Sequence, residues 1–265
     1  MLSLRLFDRS GKRLLLNDNG RTLLPRALAL MDGAATIERM SRDGSAQAQS
    51  LRIGASTTIG NYVLPKLLKQ FFSNRPQDSA LGWKSKVTIA NTEAICDAVA
   101  AFELDVGLIE GPCHVSALAV TPWLQDELVV VSGAPRSTLS IAQNSHRLSG
   151  SGKMPLKALR DMVWLLREPG SGTRDTTDQL LLPHLRSYRR SMELGSSEAI
   201  KYAVAEGLGV ACLSRWVVSD LLESGRVHKL ATTIPQMTRQ CYLVVHRDKQ
   251  ITPALGNFIE QATYK

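Results

Sequence analysis

The feature that most constrains this chain is an alternation. From Leu51 to Ile109, strand-length apolar runs alternate with helix-period segments in the order βαβαβ. Leu51 to Gly54 reads as a strand, Gly60 to Ser73 as a helix, Lys86 to Ala90 as a strand, Glu93 to Glu103 as a helix and Asp105 to Ile109 as a strand. That order predicts a twisted, mainly parallel sheet with helices on both faces, because parallel neighbours need a crossover and a helix supplies it. Glu127 to Val131 reads as a further buried strand, and a polar Ser/Gly-rich stretch, Ser137 to Lys153, then breaks the pattern. A second set comes after it. Its strands are Met162 to Leu166, Ser191 to Leu194, Val210 to Leu213 and Cys241 to His246. Its helices are Arg174 to Leu182, Glu198 to Glu206, Trp216 to Glu223 and Pro253 to Ala262. Two α/β sets in 265 residues predict two lobes with a cleft between them.

The first fifty residues have a different pattern. Leu6 and Phe7 precede a charged turn, and Leu14 to Leu16 form a second apolar strand, so the segment reads as a small hairpin. Arg9, Lys12 and Arg13 crowd its tip, which suits contact with phosphates. Asn17 stands at the N-cap position of one helix over residues 18 to 42, with Pro25 inside it as a candidate kink. Leu23, Leu24, Ala27, Leu28, Leu30, Met31, Ala34, Ala35, Ile37 and Met40 form a stripe at helical spacing. That stripe packs either on its copy in a second subunit or on the chain's own core. The polar linker Asp43 to Ser50 detaches the helix from the α/β sets and favours the first arrangement.

Bulk properties narrow the partners. An apolar content of 44% with 21% charged residues is that of a globular chain and excludes a disordered one. The net charge of +8 favours an anionic partner, either nucleic acid or a small anion. Cys96, Cys113, Cys212 and Cys241 are scattered without a CxxC pair, which argues against a zinc site and against a disulfide framework. A charged N-terminus without an apolar signal core, and no apolar run long enough to span a bilayer, predict a cytoplasmic chain with no membrane partner.

Ligands of parallel α/β sheets bind beyond the carboxyl ends of strands, where helix N-termini present unpaired N–H groups. The residues at those turns are Ser56, Thr57, Thr58, Asn91, Thr92, Glu110 and Gly111, then Gly170, Ser171, Gly172, Thr173, Ser196 and Ser197. Most are small hydroxyl, amide or glycine residues, which bind a small anion through many hydrogen bonds. Each of them also reads as a plain helix cap. Glu110 stands apart. A carboxylate repels a fully ionised ligand but accepts a hydrogen bond from one that keeps a proton, as bisulfite does and sulfate does not. Its other reading is a helix cap or a solvent-facing residue. Cys113 and His114 are adjacent but lack a third orienting group, so catalysis there is not expected. The other histidines have no ligand spacing, and Arg186, Arg189 and Arg190 read as a solvated face. No GxSxG, HExxH or Walker-type loop is present.

Five runs together carry a resemblance. They are Phe7 to Ala27, Arg52 to Pro65, Asp105 to His114, Arg167 to Arg174, and Gly195 to Lys201 with Gly207-Leu208-Gly209 behind it. In these the chain resembles the LysR-type transcriptional regulators, and its string Ile109 to His114 is similar to a branch described as sulfite sensors. The resemblance implies an α/β fold, a two-lobed periplasmic-binding-protein-like effector domain preceded by a wing remnant and a long linker helix. It implies a wing over residues 1–17, a linker helix and hinge over 18–50, lobe I over 51–126 with 241–265, and lobe II over 127–240. It also implies a regulator and not an enzyme, no cofactor, and a homodimer or homotetramer held by the linker helix and lobes.

The same resemblance implies a small oxyanion effector, sulfite, in a cleft lined by Ser56, Thr57, Thr58, Asn91, Thr92, Glu110, Ser171, Gly172, Thr173, Ser196 and Ser197. Glu110 would favour sulfite over sulfate. DNA would be held through a full winged helix-turn-helix, of which this chain is expected to carry only the wing with Arg9, Lys12 and Arg13. Two departures stand out: the connector Asn74 to Lys84 is longer than usual, and His146-Arg147-Leu148 replaces the usual His-Pro-Leu. The rival readings are a small-molecule binding protein of the transport type, which shares the two-lobe fold, and, more distantly, a two-lobe α/β enzyme.

Overall fold

The computed structural model describes residues 4–42, 51–73, 85–133 and 153–263. The linker after the first helix, the long connector, most of the Ser/Gly-rich stretch and His146 lie outside them. The chain opens on strands β1 (Phe7–Ser10) and β2 (Arg13–Leu16), an antiparallel hairpin in which Ser10 pairs with Arg13. Gly11 sits at the turn with a φ of +63°, a conformation natural to glycine in two-residue hairpin loops. Helix α1 (Asp18–Arg42) comes next and runs through Pro25. The Asn17 side chain accepts the Gly20 N–H at 3.0 Å, the N-cap bond that the sequence predicts.

The first lobe is built from β3 (Arg52–Ser56), α2 (Thr57–Tyr62), α3 (Leu64–Ser73), β4 (Lys86–Ala90), α4 (Thr92–Ala100), β5 (Val106–Glu110) and the closing α9 (Pro253–Thr263). The single helix expected over 60–73 is two helices broken at Val63, two residues before Pro65. Proline has no N–H to continue a helix, and in the first turn of a new one it needs none. The second lobe contains α5 (Leu156–Asp161), β7 (Val163–Leu166), α6 (Gly172–Leu185), β8 (Arg190–Glu193), α7 (Ser197–Ala205), β9 (Val210–Ser214), α8 (Arg215–Glu223) and β10 (Val227–Lys229).

Two long strands, β6 (Leu118–Gly133) and β11 (Met237–His246), belong to both lobes. They correct the expectation of a mainly parallel sheet. Among the described residues nine strands form one sheet, ordered β4-β3-β5-β11-β6-β9-β7-β8 with β10 on β6. Its two flanks are parallel, β3 with β4 and β5 on one side and β7 with β8 and β9 on the other. Every pairing of β6 and β11 is antiparallel. The register between them shifts between Gln240 and Tyr242, where the pair passes from one lobe to the other. Each lobe has apolar clusters, one holding Ile53, Leu108 and Phe258, another Ile95, Val99 and Val244, and two more built around Trp164 and around Val217 in the second lobe.

Helix α1 touches the first lobe through charge. Asp32 is buried and accepts from Arg52 at 2.8 Å and from Lys249 at 2.6 Å, and both cations also reach Asp105. Burial works to raise the Asp105 carboxyl, and the hydrogen bonds from Arg52 and Lys249 outweigh it and hold it below the ordinary carboxylate value. The apolar stripe of α1 is covered only in part by the described residues: Leu23, Ala27 and Leu28 are half-buried. Leu30, Met31 and Ile37 are 76%, 69% and 67% exposed. No helix among the described residues is long and apolar enough to cross a membrane.

Candidate functional site

The lobes meet where β3, β4 and β5 end against the start of α6. The contact is close because it is made of backbone. Gly172 lies so near the end of β5 that a Cβ there would stand 1.6 Å from the Glu110 carbonyl oxygen. The Thr92 hydroxyl donates to that carbonyl at 2.9 Å and accepts the Gly172 N–H at 3.2 Å. One hydroxyl thus bridges the two lobes with both of its hydrogen-bonding roles used. Beside it the Glu93 N–H donates to the Gly170 carbonyl at 3.0 Å.

Glu110 is at the centre of this junction and is 1% exposed. Its Oε1 lies 3.4 Å from the Thr58 N–H and 3.4 Å from the Thr173 hydroxyl, and so receives from both lobes. Its backbone N–H donates to the Ser56 hydroxyl at 3.2 Å. Its Oε2 accepts no hydrogen bond from the described residues and stands 3.7 Å from Nη2 of Arg239. The Arg239 Nε and Nη2 lie 2.8 and 2.7 Å from Asp126, and Nη1 donates to the Thr173 hydroxyl at 2.9 Å. Asp126 and Arg239 face each other across β6 and β11, and Ser214 donates to the second Asp126 oxygen at 2.9 Å.

Two carboxylates therefore share one buried guanidinium. Burial disfavours the charge on Arg239, and Glu110 and Asp126 more than restore it, so its pKa is raised. Burial raises the Asp126 carboxyl, and Arg239 and Ser214 offset only part of that. Among the described residues the buried Thr58 Oγ1 has no hydrogen-bond partner. Unsatisfied buried hydroxyls are costly, and around an anion-compatible cluster they are spare donors.

The turn residues read from the sequence fall into groups. Ser56, Thr58, Thr92, Gly172 and Thr173 are brought together around Glu110: Thr58 and Thr173 at its carboxylate, Ser56 at its backbone N–H, and Thr92, which accepts from Gly172, at its carbonyl. Ser171 is buried at the N-cap of α6 and makes no side-chain cap bond. Asn91 and Ser197 join from the side. Asn91 caps α4 and its amide lies 3.4 Å from Glu168, while the Ser197 hydroxyl accepts from Arg167 at 2.9 Å and Arg167 pairs with Glu168 at 2.7 Å. Thr57 instead donates to the Ala90 carbonyl, and Ser196 acts as the N-cap of α7. Arg9, Lys12 and Arg13 are all exposed on the hairpin.

Sequence reasoning missed Arg239 and Asp126. A signal existed for Arg239. Met237, Arg239, Cys241, Leu243 and Val245 share one face of a strand, so an arginine stands at a core-facing position where only a paired charge survives. A second inter-lobe contact was also missed. Tyr62 at the end of α2 donates its hydroxyl to Glu198, and buried Lys201 reaches Tyr62, Glu198 and Asp220. Among the described residues no group of three or more metal-ligating side chains is present.

Comparison with known proteins gives the same outline. The LysR substrate binding domain model matches residues 44–264. The transcriptional regulator YeiE of Escherichia coli is 42% identical over 259 residues, covering 98% of this chain and 82% of that protein. The regulator CysL of Bacillus subtilis is 34% identical over 173 residues, covering 65% of this chain and 53% of CysL. The regulatory domain of Synechocystis CcmR, solved with 2-PG, is 28% identical with a TM-score of 0.66, over 81% of this chain and 95% of that one. Full-length OxyR from Pseudomonas aeruginosa shares the fold with a TM-score of 0.68 at 22% identity, over 98% of this chain and 80% of that one.

Proposed function

The chain belongs to the LysR family of transcriptional regulators, a regulator and not an enzyme, and from that premise we propose that it senses a small oxyanion, sulfite, at the junction of its two lobes. The observation that carries this reading is the Glu110 carboxylate, buried between Thr58, Thr173 and Arg239. Arg239 is the buried cation of this cluster, its charge shared between Glu110 and Asp126. Thr58 and Thr173 donate to the Glu110 carboxylate, Ser56, Thr92 and Gly172 fix its backbone, and Thr57, Asn91, Ser171, Ser196 and Ser197 border the junction at the neighbouring helix starts. Glu110 sets selectivity, because a carboxylate beside the anion is tolerated only when the ligand brings a proton to share. Bisulfite brings one and sulfate does not.

In this reading lobe I is 51–126 with 241–265 and lobe II is 127–240. The register shift at Gln240/Tyr242 supports a pivot at those boundaries. Effector binding changes the angle between lobes, and the angle changes the pose of the subunits on DNA. The exposed stripe of α1 supports assembly into a homodimer or homotetramer. The exposed Arg9, Lys12 and Arg13 support phosphate contact by the hairpin. The transport-type reading is not favoured, since the relatives are regulators.

Isothermal titration with sulfite and with sulfate near neutral pH tests the proposal. Sulfite is expected to bind about tenfold or more tightly than sulfate, the worth of one hydrogen bond to a charged group. Glu110→Gln is expected to bring the two affinities together. Equal binding of both anions by the parent chain, or binding of neither, refutes the sulfite assignment.

A further inference from the structure

We propose that Cys96 and Cys113 are a thiol pair that a peroxide oxidises to an intramolecular disulfide, a modification site adjoining the Glu110 cluster, with Thr92 lining both. The two residues line one cavity of about 410 Å³, which also takes in Glu93, His114, Gly170 and Asp175. Cys96 is buried on α4, and Cys113 is half-buried on the loop after β5 and packs against the apolar cluster that holds Cys96. The two side chains are thus brought together at one wall of this cavity, at the edge of one apolar cluster. Cys212 and Cys241 stand elsewhere. Both are buried in other clusters, and neither lines this cavity. Of the four cysteines, Cys113 is the one that solvent reaches.

The roles divide by environment. Burial first, then Cys113, Asp97 and Glu93, push the Cys96 thiol up, so Cys96 keeps its proton and waits. Cys113, open to the cavity, meets the oxidant. Its sulfur attacks one oxygen of hydrogen peroxide, the O–O bond breaks, and a sulfenic acid and one water result. The Cys96 sulfur then attacks the sulfenic sulfur. The S–O bond breaks, hydroxide leaves with the thiol proton as a second water, and the S–S bond forms. The thiols lose two electrons and two protons, and the peroxide is reduced to two waters. The bridge ties α4 to the loop beside the Glu93–Gly170 contact, so it bears on the lobe junction itself.

The test is hydrogen peroxide added to the reduced full chain, then intact mass and mapping. Glu103 and Glu110 lie between the two cysteines, so glutamate-specific cleavage separates them, whereas no Lys or Arg lies between them. The expected result is a loss of about 2 Da that maps to a Cys96–Cys113 link. Cys113→Ser abolishes it and Cys212→Ser leaves it intact. Circular dichroism confirms that each variant is folded, and the half-buried Cys113→Ser carries the test if Cys96→Ser is not. Persistence of the 2 Da loss in Cys113→Ser, about one disulfide's worth of hydrogen, overturns the proposal. So does a link to Cys212 or Cys241, or accumulation of oxidised Cys113 without any disulfide.

Discussion

Replacing Gly172 with Ala probes the lobe junction most directly. The new Cβ would stand 1.6 Å from the Glu110 carbonyl oxygen and 2.6 Å from the Thr92 hydroxyl. The nearest atoms are backbone, so no flexible side chain moves aside to make room. The start of α6 must retreat by more than about 1 Å before the contact becomes an ordinary van der Waals one. That retreat breaks the Gly172 N–H to Thr92 bond and pulls Thr173 away from Glu110 and Arg239. Two or three buried polar groups lose partners, at about 1–3 kcal/mol each, so a total near 3–5 kcal/mol is expected. For a domain of this size that lowers the melting temperature by roughly 6–20 °C. Differential scanning calorimetry of the parent and Gly172→Ala measures it. An alanine that melts within about 1 °C of the parent would show that the lobes do not rest on this contact, and the reasoning about the junction would be wrong.

Two further perturbations test the charged contacts. Asp32→Ala removes the carboxylate that docks α1, but Arg52 and Lys249 keep Asp105, so the cost is about 1–3 kcal/mol, below that of an orphaned buried charge. Hydrogen exchange of the amides from Leu28 to Thr36 should speed up, and unchanged protection would mean that α1 holds by itself. Acid stability depends on the same cluster. The folded-state pKa of Asp105 lies below its unfolded value, so its stabilisation is complete above the unfolded value near pH 3.9 and is lost as pH falls through the folded one. Urea midpoints measured from about pH 6 to pH 3 should fall less steeply in Asp105→Asn. Asp126, held up by burial, contributes with the opposite sign, so an unchanged profile in Asp105→Asn would rule out Asp105 as a source of the slope.

The βαβαβ reading of 51–109 was legible because strand runs and helix periods differ in spacing, and local spacing is what a sequence displays. The N-cap at Asn17, the hairpin and the turns at Thr92, Glu110 and Gly172 were legible for the same reason. The long strands were not. Leu118 to Asp126 contains Pro122 and mixes polar with apolar residues, so only the Glu127 to Val131 end of β6 looked like a strand. Its extension exists because β11 pairs with it over most of its length, a partner more than a hundred residues away in sequence. The site divides along the same line. Glu110 stood out as a lone carboxylate among small residues at strand ends, whereas Arg239 and Asp126 drew no notice until pairing set them opposite each other.

The sequence by itself determined the two α/β sets, their helix starts and the family, because capping, periodicity and motif are local properties of the chain. Only the tertiary structure decided that the sheet is continuous through both lobes, that Asp32 meets Lys249, and that Glu110 shares one guanidinium with Asp126. These are contacts across more than a hundred residues of sequence. Their energies come from burial and from charge pairing, which no local pattern records.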